Sequence, residues 1–383
     1  MLEGRVISAD AHVVEPPNLW TDRMDPKYGD WIPHVVRENS FDKWHCGDHV
    51  LGVIAAQGAN TGMRFDKETA QKMSREGRFE DVRLGGYDPH AHIKDIEMDG
   101  VHATMVYPTT GRGLMGRIAN QDVLRAIAST MNDWLSDFCK PYPDRLKGVA
   151  MILLDDDVEA GIAELRRVKE IGLSGALIPA YPAPGQFYYD PKYETFWAAA
   201  QEMEMPISLH AGTTRPDPKF ASTSSIKVEG PGLSSHDKGH TDTAQAVQRI
   251  NMDHFVRMSL GHITLSGVFE RYPDLKIVSV ENDVGWVPFF MYRCDSTYNE
   301  STFASYRFKG NMSPSDFLRT NVYYTFMDDP FVARLRDLIG VDQLMWGSDY
   351  PHAESTFPRS QEILEELFKD VPEGEKAKIL GGN

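Results

Sequence analysis

The sequence predicts one α/β domain spanning residues 1–383, a distorted (β/α)8 TIM barrel with long loops inserted at its C-terminal face. Three observations predict it. Eight short apolar or β-branched runs recur, most are followed by a segment of helical period, and 383 residues suit one barrel with insertions. The runs are Val6–Ala9, Ala103–Tyr107, Gly148–Leu153, Gly175–Pro179, Ile207–His210, Lys276–Val280, Val322–Thr325 and Gln343–Trp346. Between them, Asp122–Phe138 keeps Val123, Ile127, Met131, Trp134, Leu135 and Phe138 near one helical face. Asp157–Lys169 does likewise with Val158, Ile162 and Leu165, and Pro191 opens another helix.

Two segments escape the repeat, about 25–86 after the first strand and 214–250 after the fifth. The first mixes aromatic, Gly and charged residues without a clean period; the second is rich in Ser, Thr, Pro, Gly and Asp. Because both follow strands, both are expected over the barrel mouth, forming most of the substrate pocket.

Apolar residues make up 41% of the chain and charged residues 25%, enough to bury a core and against disorder. A net charge of −16 disfavours nucleic acid or an anionic membrane as the main partner and leaves a small-molecule substrate as the expected one. No run of roughly 18 apolar residues occurs, so no membrane span is expected. The cysteines Cys46, Cys139 and Cys294 lie far apart without a CxxC pair. Neither a disulfide framework nor a thiolate zinc site is suggested, and a reducing cytoplasm is the expected location.

The chemistry lies in the polar residues that end the strands. Asp10 and His12 are two apart, so in extended chain they face the same side, into the barrel mouth. His210 ends the fifth strand and Asp349 follows the eighth. An Asp-x-His pair arises often by chance, and a strand-end histidine is often a hydrogen-bonded core residue. Four such residues at strand ends that a barrel brings together are harder to dismiss. Two imidazoles and two carboxylates suit one divalent metal, with zinc the first choice for the imidazoles, manganese or iron open for the carboxylates, and a second ion not excluded.

The segments DAHVVEP, PISLHAG, SGVFERYPDLKIVSVENDVGWVP and LMWGSDYPH resemble the amidohydrolase-related group, the branch of the amidohydrolase superfamily that includes aminocarboxymuconate-semialdehyde decarboxylase. The resemblance spans nearly the whole chain. It implies a metal-dependent barrel enzyme, a homodimer, and a metal held by Asp10, His12, His210 and Asp349, in the variant with an acidic residue first. At the sixth strand this chain departs from the decarboxylases of that group. Their histidine falls, counting back from Pro288, at Asn282, with Glu281 one residue earlier.

Glu281 is therefore the expected acid/base beside Asp349, with a role in orienting His210 as its alternative. Asn282, His352 and Tyr181 are candidate substrate contacts; for His352 a helix-capping role, and for Tyr181 simple loop packing, stay open. Glu15 is expected to pin a loop, Trp286 to anchor a turn, and His262 to be structural, on the preceding helix. The leading functional expectation is a hydrolase that turns metal-activated water on an amide, ester, thioester or C–C bond next to a carbonyl. The alternative is a non-oxidative decarboxylase of an aromatic or enol acid, and the third is an inert protein that kept its metal.

Overall fold

The computed structural model describes residues 5–38, 41–53, 58–64, 66, 68, 78–215, 247, 249–300, 302 and 305–383. Strand β1 (Ile7–His12) opens the barrel. An inserted antiparallel sheet follows, of β2 (His34–Glu38), β3 (Phe41–Cys46) and β4 (His49–Val53). The barrel then continues through β5 (Ala103–Tyr107), β6 (Leu146–Met151), β7 (Gly175–Ile178), β8 (Ile207–His210), β9 (Ile277–Val280), β10 (Val322–Phe326) and β11 (Leu344–Trp346). Its eight strands lie in the order β1-β5-β6-β7-β8-β9-β10-β11, all parallel. First and last strands meet at their carboxyl ends, where Ala11 bridges Tyr350 and the Asp349 amide donates to the Asp10 carbonyl at 2.9 Å.

Strands covered by helices outside and side chains inside are buried on both faces, so they carry unbroken apolar runs instead of alternation. β7, β8 and β9 are buried at every position. The helix Gln121–Cys139 starts where Asn120 Oδ1 accepts from the amides of Asp122 and Val123. It buries Val123, Leu124, Ile127, Met131, Leu135 and Phe138 against the sheet. Asp157 caps Val158–Glu170 in the same manner, accepting from the Ala160 amide.

The first insertion is more regular than expected. In β3, Asp42, Trp44 and Cys46 are buried while Lys43 and His45 are half-buried, a period of two confined to one short strand. Arg37 Nε closes the hairpin with Asp42 Oδ1 at 2.8 Å. Further along, Thr61 Oγ1 donates to the Pro351 carbonyl at 2.5 Å and Arg64 Nη1 to that of Glu354 at 3.0 Å. Those bonds tie residues 58–64 to the segment after β11, at the carboxyl end of the barrel. Of the second insertion, 216–246 and 248 lie outside the described residues. No helix among the described residues is long and apolar enough to cross a membrane.

His92, buried on the helix Pro89–Met98, packs beneath β5 with Nδ1 2.8 Å from the Gly85 carbonyl. Burial pushes its pKa from 6.5 down to about 4, although the Gly85 carbonyl and Asp95 pull the other way. A depressed histidine contributes stability that is complete above the unfolded value and is lost as pH falls through the folded one. Unfolding free energy is therefore expected to fall by roughly 3 kcal/mol between pH 7 and pH 4 on account of this residue. Denaturant titrations across that range should show a shallower decline for His92→Gln; an equally steep one would contradict the assignment.

Candidate active site

The candidate site lies where β1, β8, β9 and β11 end. The register of β1 against β5 slips between Ser8 and Ala11, a bulge that re-aims Asp10. The close approach of β11 requires a glycine, because a Cβ on Gly347 would lie 2.5 Å from Asp10 Cβ. Three side-chain-bearing residues here adopt left-handed backbone, Glu281 (φ 59°), Asp283 (φ 51°) and Asp349 (φ 57°). Such geometry costs roughly 1–2 kcal/mol per residue and persists where surrounding bonds over-determine it. Asp10 holds the Asp349 amide, and Thr325 Oγ1 accepts the Glu281 amide at 3.0 Å.

Four side chains converge. His12 Nε2 lies 3.2 Å from His210 Nε2, 3.4 Å from Asp10 Oδ1 and 3.4 Å from Asp349 Oδ1, and His210 Nε2 lies 3.5 Å from Asp10 Oδ1. His12 Nδ1 faces the Pro108 carbonyl at 3.2 Å and His210 Nδ1 the Ala211 carbonyl at 3.0 Å. A carbonyl only accepts, so Nδ1 of His12 carries its ring's proton and its Nε2 turns a lone pair to the shared centre, whereas His210 Nδ1 lies between an acceptor, the Ala211 carbonyl, and a donor, Arg112 Nη1 at 2.6 Å. Asp10 Oδ1 and Asp349 Oδ2 are buried without a hydrogen-bond partner. Bonds of about 2.0–2.2 Å to one ion separate neighbouring donors by about 3.0–3.5 Å, so Asp10, His12 and His210 fit a divalent cation as a set, and Asp349 adjoins it through His12.

Burial drives the protonation of the group. It pushes Asp10 up to about 7 against the opposing Arg112 and His352, and raises Asp349 as well. It lowers both His12 and His210 well below 6.5, leaving neutral rings suited to ligation. Glu281 is raised to about 8 by burial and by the Asp349 charge.

Around the four runs a supporting chain. His352 Nδ1 lies 2.7 Å from Asp349 Oδ1, its ring stacks on His12 at 4.1 Å, and its Nε2 meets Thr109 Oγ1 at 3.0 Å. Burial works against a charged His352, but Asp349 outweighs it and raises the ring to about 9. Thr109 is positioned in turn by Glu15, whose buried carboxylate accepts the amides of Thr109, Thr110 and Gly111 at 2.9–3.0 Å. Glu15→Ala should strand three buried amides and cost roughly 3 kcal/mol or more. Thermal denaturation beside turnover checks this, because slackening Thr109 should lower activity at temperatures where the variant is still folded. An unchanged melting temperature would contradict the clamp.

The other expected site residues fall into two groups. Asn282 lines a cavity of about 300 Å³ together with Asp10, Glu281, Asp349, Arg249 and Glu354. Its Nδ2 donates to the Val280 carbonyl at 2.6 Å, while Oδ1 is buried without a partner. Tyr181 is not among the described residues lining that cavity; its ring packs against Phe255 and His262, 5.7 and 5.8 Å between centroids. His262 sits on the helix His254–Leu265 among Tyr181, Phe187 and Tyr189. Trp286 Nε1 donates to the Asn282 carbonyl at 2.9 Å, bracing the turn after β9.

Sequence reasoning missed Arg112, Thr109, Arg249 and Glu354. Arg112 Nη1 reaches His210 Nδ1 at 2.6 Å, the Ala211 carbonyl at 2.7 Å and Glu281 Oε2 at 3.2 Å. The signal was the polar stretch Thr109-Thr110-Gly111-Arg112 just past the second barrel strand, the face where such sites assemble.

A parallel eight-stranded barrel with imidazoles and carboxylates converging at the carboxyl ends of its strands defines an enzyme of the amidohydrolase superfamily. The chain belongs to the amidohydrolase family, whose model matches residues 86–383. It is 26% identical over 338 residues to the gamma-resorcylate decarboxylase of Polaromonas sp. strain JS666, covering 85% of this chain and 91% of that one. Among solved structures it resembles an amidohydrolase from Mycobacterium avium subsp. paratuberculosis K-10, at 21% identity over 99% of this chain and 98% of that chain with a TM-score of 0.75. It also resembles a dihydroxybenzoic acid decarboxylase from Polaromonas sp. JS666 with bound manganese and the inhibitor 2-nitroresorcinol, at 19% identity, 99% and 95% coverage and a TM-score of 0.61.

These likenesses overturn the hydrolase expectation. That expectation rested on Glu281 replacing a histidine to handle the proton of a water, yet the carboxylate is turned toward Arg112 and lies 3.4 Å from His210 Nδ1, the nitrogen facing away from the shared centre. A missing sixth-strand histidine is no evidence for water chemistry when its replacement is occupied in this way.

Proposed function

We propose that this protein is a non-oxidative, metal-dependent decarboxylase of a hydroxyaryl carboxylic acid. The observation that carries the reading is the similarity to gamma-resorcylate decarboxylase across 85% of the chain. Asp10, His12, His210 and Asp349 are the residues that would hold the metal, with manganese placed ahead of zinc because two of the four donors are carboxylates. A divalent cation there would supply positive charge to orient and polarise the oxygens of the substrate.

The chain's own part is to confine the ring and supply a proton. A cavity of about 300 Å³ is at the small end of ligand pockets and suits a single-ring acid. Asp349 is the proposed donor: Oδ1 is fixed by His352, and Oδ2 is buried and free of hydrogen bonds. Its proton passes to the ring carbon that bears the carboxylate. The C–C bond then breaks with its electron pair left on the ring, carbon dioxide departs, and Asp349 is reprotonated from solvent. His352 has both nitrogens engaged and acts by orienting Asp349. Glu281 braces Arg112 and the outer nitrogen of His210.

The test is a panel of ortho-hydroxybenzoic acids offered to manganese-loaded protein, with carbon dioxide and the phenolic product quantified together. Equimolar release of both from at least one acid, abolished by chelator, is expected. Turnover of amides, esters or lactones without carbon dioxide from any aryl acid would sink the reading.

A further inference from the structure

Among the described residues, six carboxylates and a single guanidinium border the cavity, and that guanidinium, Arg249, is 66% exposed and already paired with Glu354 at 3.2 Å. A ligand entering it meets acceptors and must bring donors. Three of the bordering residues each hold a buried oxygen without a hydrogen-bond partner: Asp10 Oδ1, Asp349 Oδ2 and Asn282 Oδ1. Asp10 belongs to the set that fits a cation, and Asp349 Oδ2 is the proposed proton donor. The amide oxygen of Asn282 has no such use.

Which end of that amide is the oxygen follows from its neighbours. One end lies 2.6 Å from the Val280 carbonyl and 3.3 Å from Ser279 Oγ. A carbonyl only accepts, so that end is the nitrogen and the other the oxygen. The side chain is only 7% exposed and its turn is held from several sides. Glu281 (φ 59°) and Asp283 (φ 51°) flank it in left-handed backbone, and Trp286 Nε1 donates to the Asn282 carbonyl at 2.9 Å. Asp329 Oδ2 accepts the Val284 and Gly285 amides at 2.9 and 3.0 Å. The acceptor is thus fixed before a ligand arrives. A ligand that takes this part of the cavity from water without offering a donor strips the oxygen and leaves it unpaired, which costs affinity. Such asymmetry is how a buried polar group discriminates between analogues that differ in one hydroxyl.

We infer that Asn282 is a specificity-determining residue that selects aryl acids bearing a ring hydroxyl, its Oδ1 accepting a hydrogen bond from that hydroxyl. The inference rests on the decarboxylase reading and deepens it by naming a second group the substrate must carry besides its carboxylate.

Calorimetric titration of manganese-loaded protein tests it, using salicylates that carry a hydroxyl, amino or methoxyl group at each open ring position in turn. At one position at least, wild type is expected to bind the hydroxyl and amino forms about 10- to 100-fold more tightly than the methoxyl form, the scale of one buried acceptor left unpaired. Asn282→Ala, with its fold checked by circular dichroism, should erase most of that ratio and keep the wild-type manganese stoichiometry. Equal affinities for the three forms at every position in wild type would overturn the inference, a result that needs no variant. A ratio that survives in Asn282→Ala would also overturn it, as would manganese lost from the variant, which would make Asn282 a metal ligand instead. The expected donor preference without carbon dioxide from any aryl acid would count against the decarboxylase reading alone, whereas protein that binds none of the salicylates would sink both.

Discussion

Purified His210→Ala protein is expected to carry less than about a tenth of the wild-type metal and to lose roughly 10³-fold or more in turnover, because several kcal/mol of charge stabilisation leave with the ion. His210 is fully buried at the end of β8, and its Nε2 is one corner of a set whose other corners lie 3.2 and 3.5 Å away. Elemental analysis after dialysis, with circular dichroism to confirm the fold, checks the result. Full metal occupancy in the variant would mean the ion, if any, sits elsewhere.

Asp349→Asn is expected to cost turnover about 10²- to 10⁴-fold, the range for a lost acid/base group. The amide is isosteric, so the left-handed backbone and the bond to the Asp10 carbonyl should persist, and melting should change little. What disappears is the carboxyl proton, together with the carboxylate charge that Asp349 would offer the metal. Elemental analysis beside turnover separates the two effects, and a metal-loaded variant with near-normal turnover would remove Asp349 from the proton path.

All eight runs read as barrel strands in the sequence form strands, because a parallel barrel buries them on both faces and so marks each with continuous apolar residues. Their ends were less legible. The first was read as Val6–Ala9 but runs Ile7–His12, taking Asp10 and His12 into the strand itself, since hydrogen bonding to β5 and the bridge to Tyr350 set its limit. The small sheet of β2, β3 and β4 went unread although Asp42, Trp44 and Cys46 alternate with Lys43 and His45. Two or three turns of alternation carry little weight among aromatic and charged neighbours.

The convergence of Asp10, His12, His210 and Asp349 could be read because strand order alone brings those ends together. Arg112 could not, because its place depends on Glu15 drawing in the loop after β5, a contact across 94 to 96 positions that no local pattern records. The reaction was misread for a related reason. A residue type at an aligned position says which group is present; which way it points decides its chemistry, and Glu281 points at Arg112.

The most direct measurement of the central claim is proton NMR of the product formed by manganese-loaded wild-type protein from an ortho-hydroxybenzoic acid in D₂O, with released carbon dioxide quantified in parallel. The predicted result is a phenol carrying one deuterium at the carbon that held the carboxylate, formed mole for mole with carbon dioxide and absent after chelation. A product that keeps its carboxylate, or turnover of the acid without carbon dioxide, would contradict it.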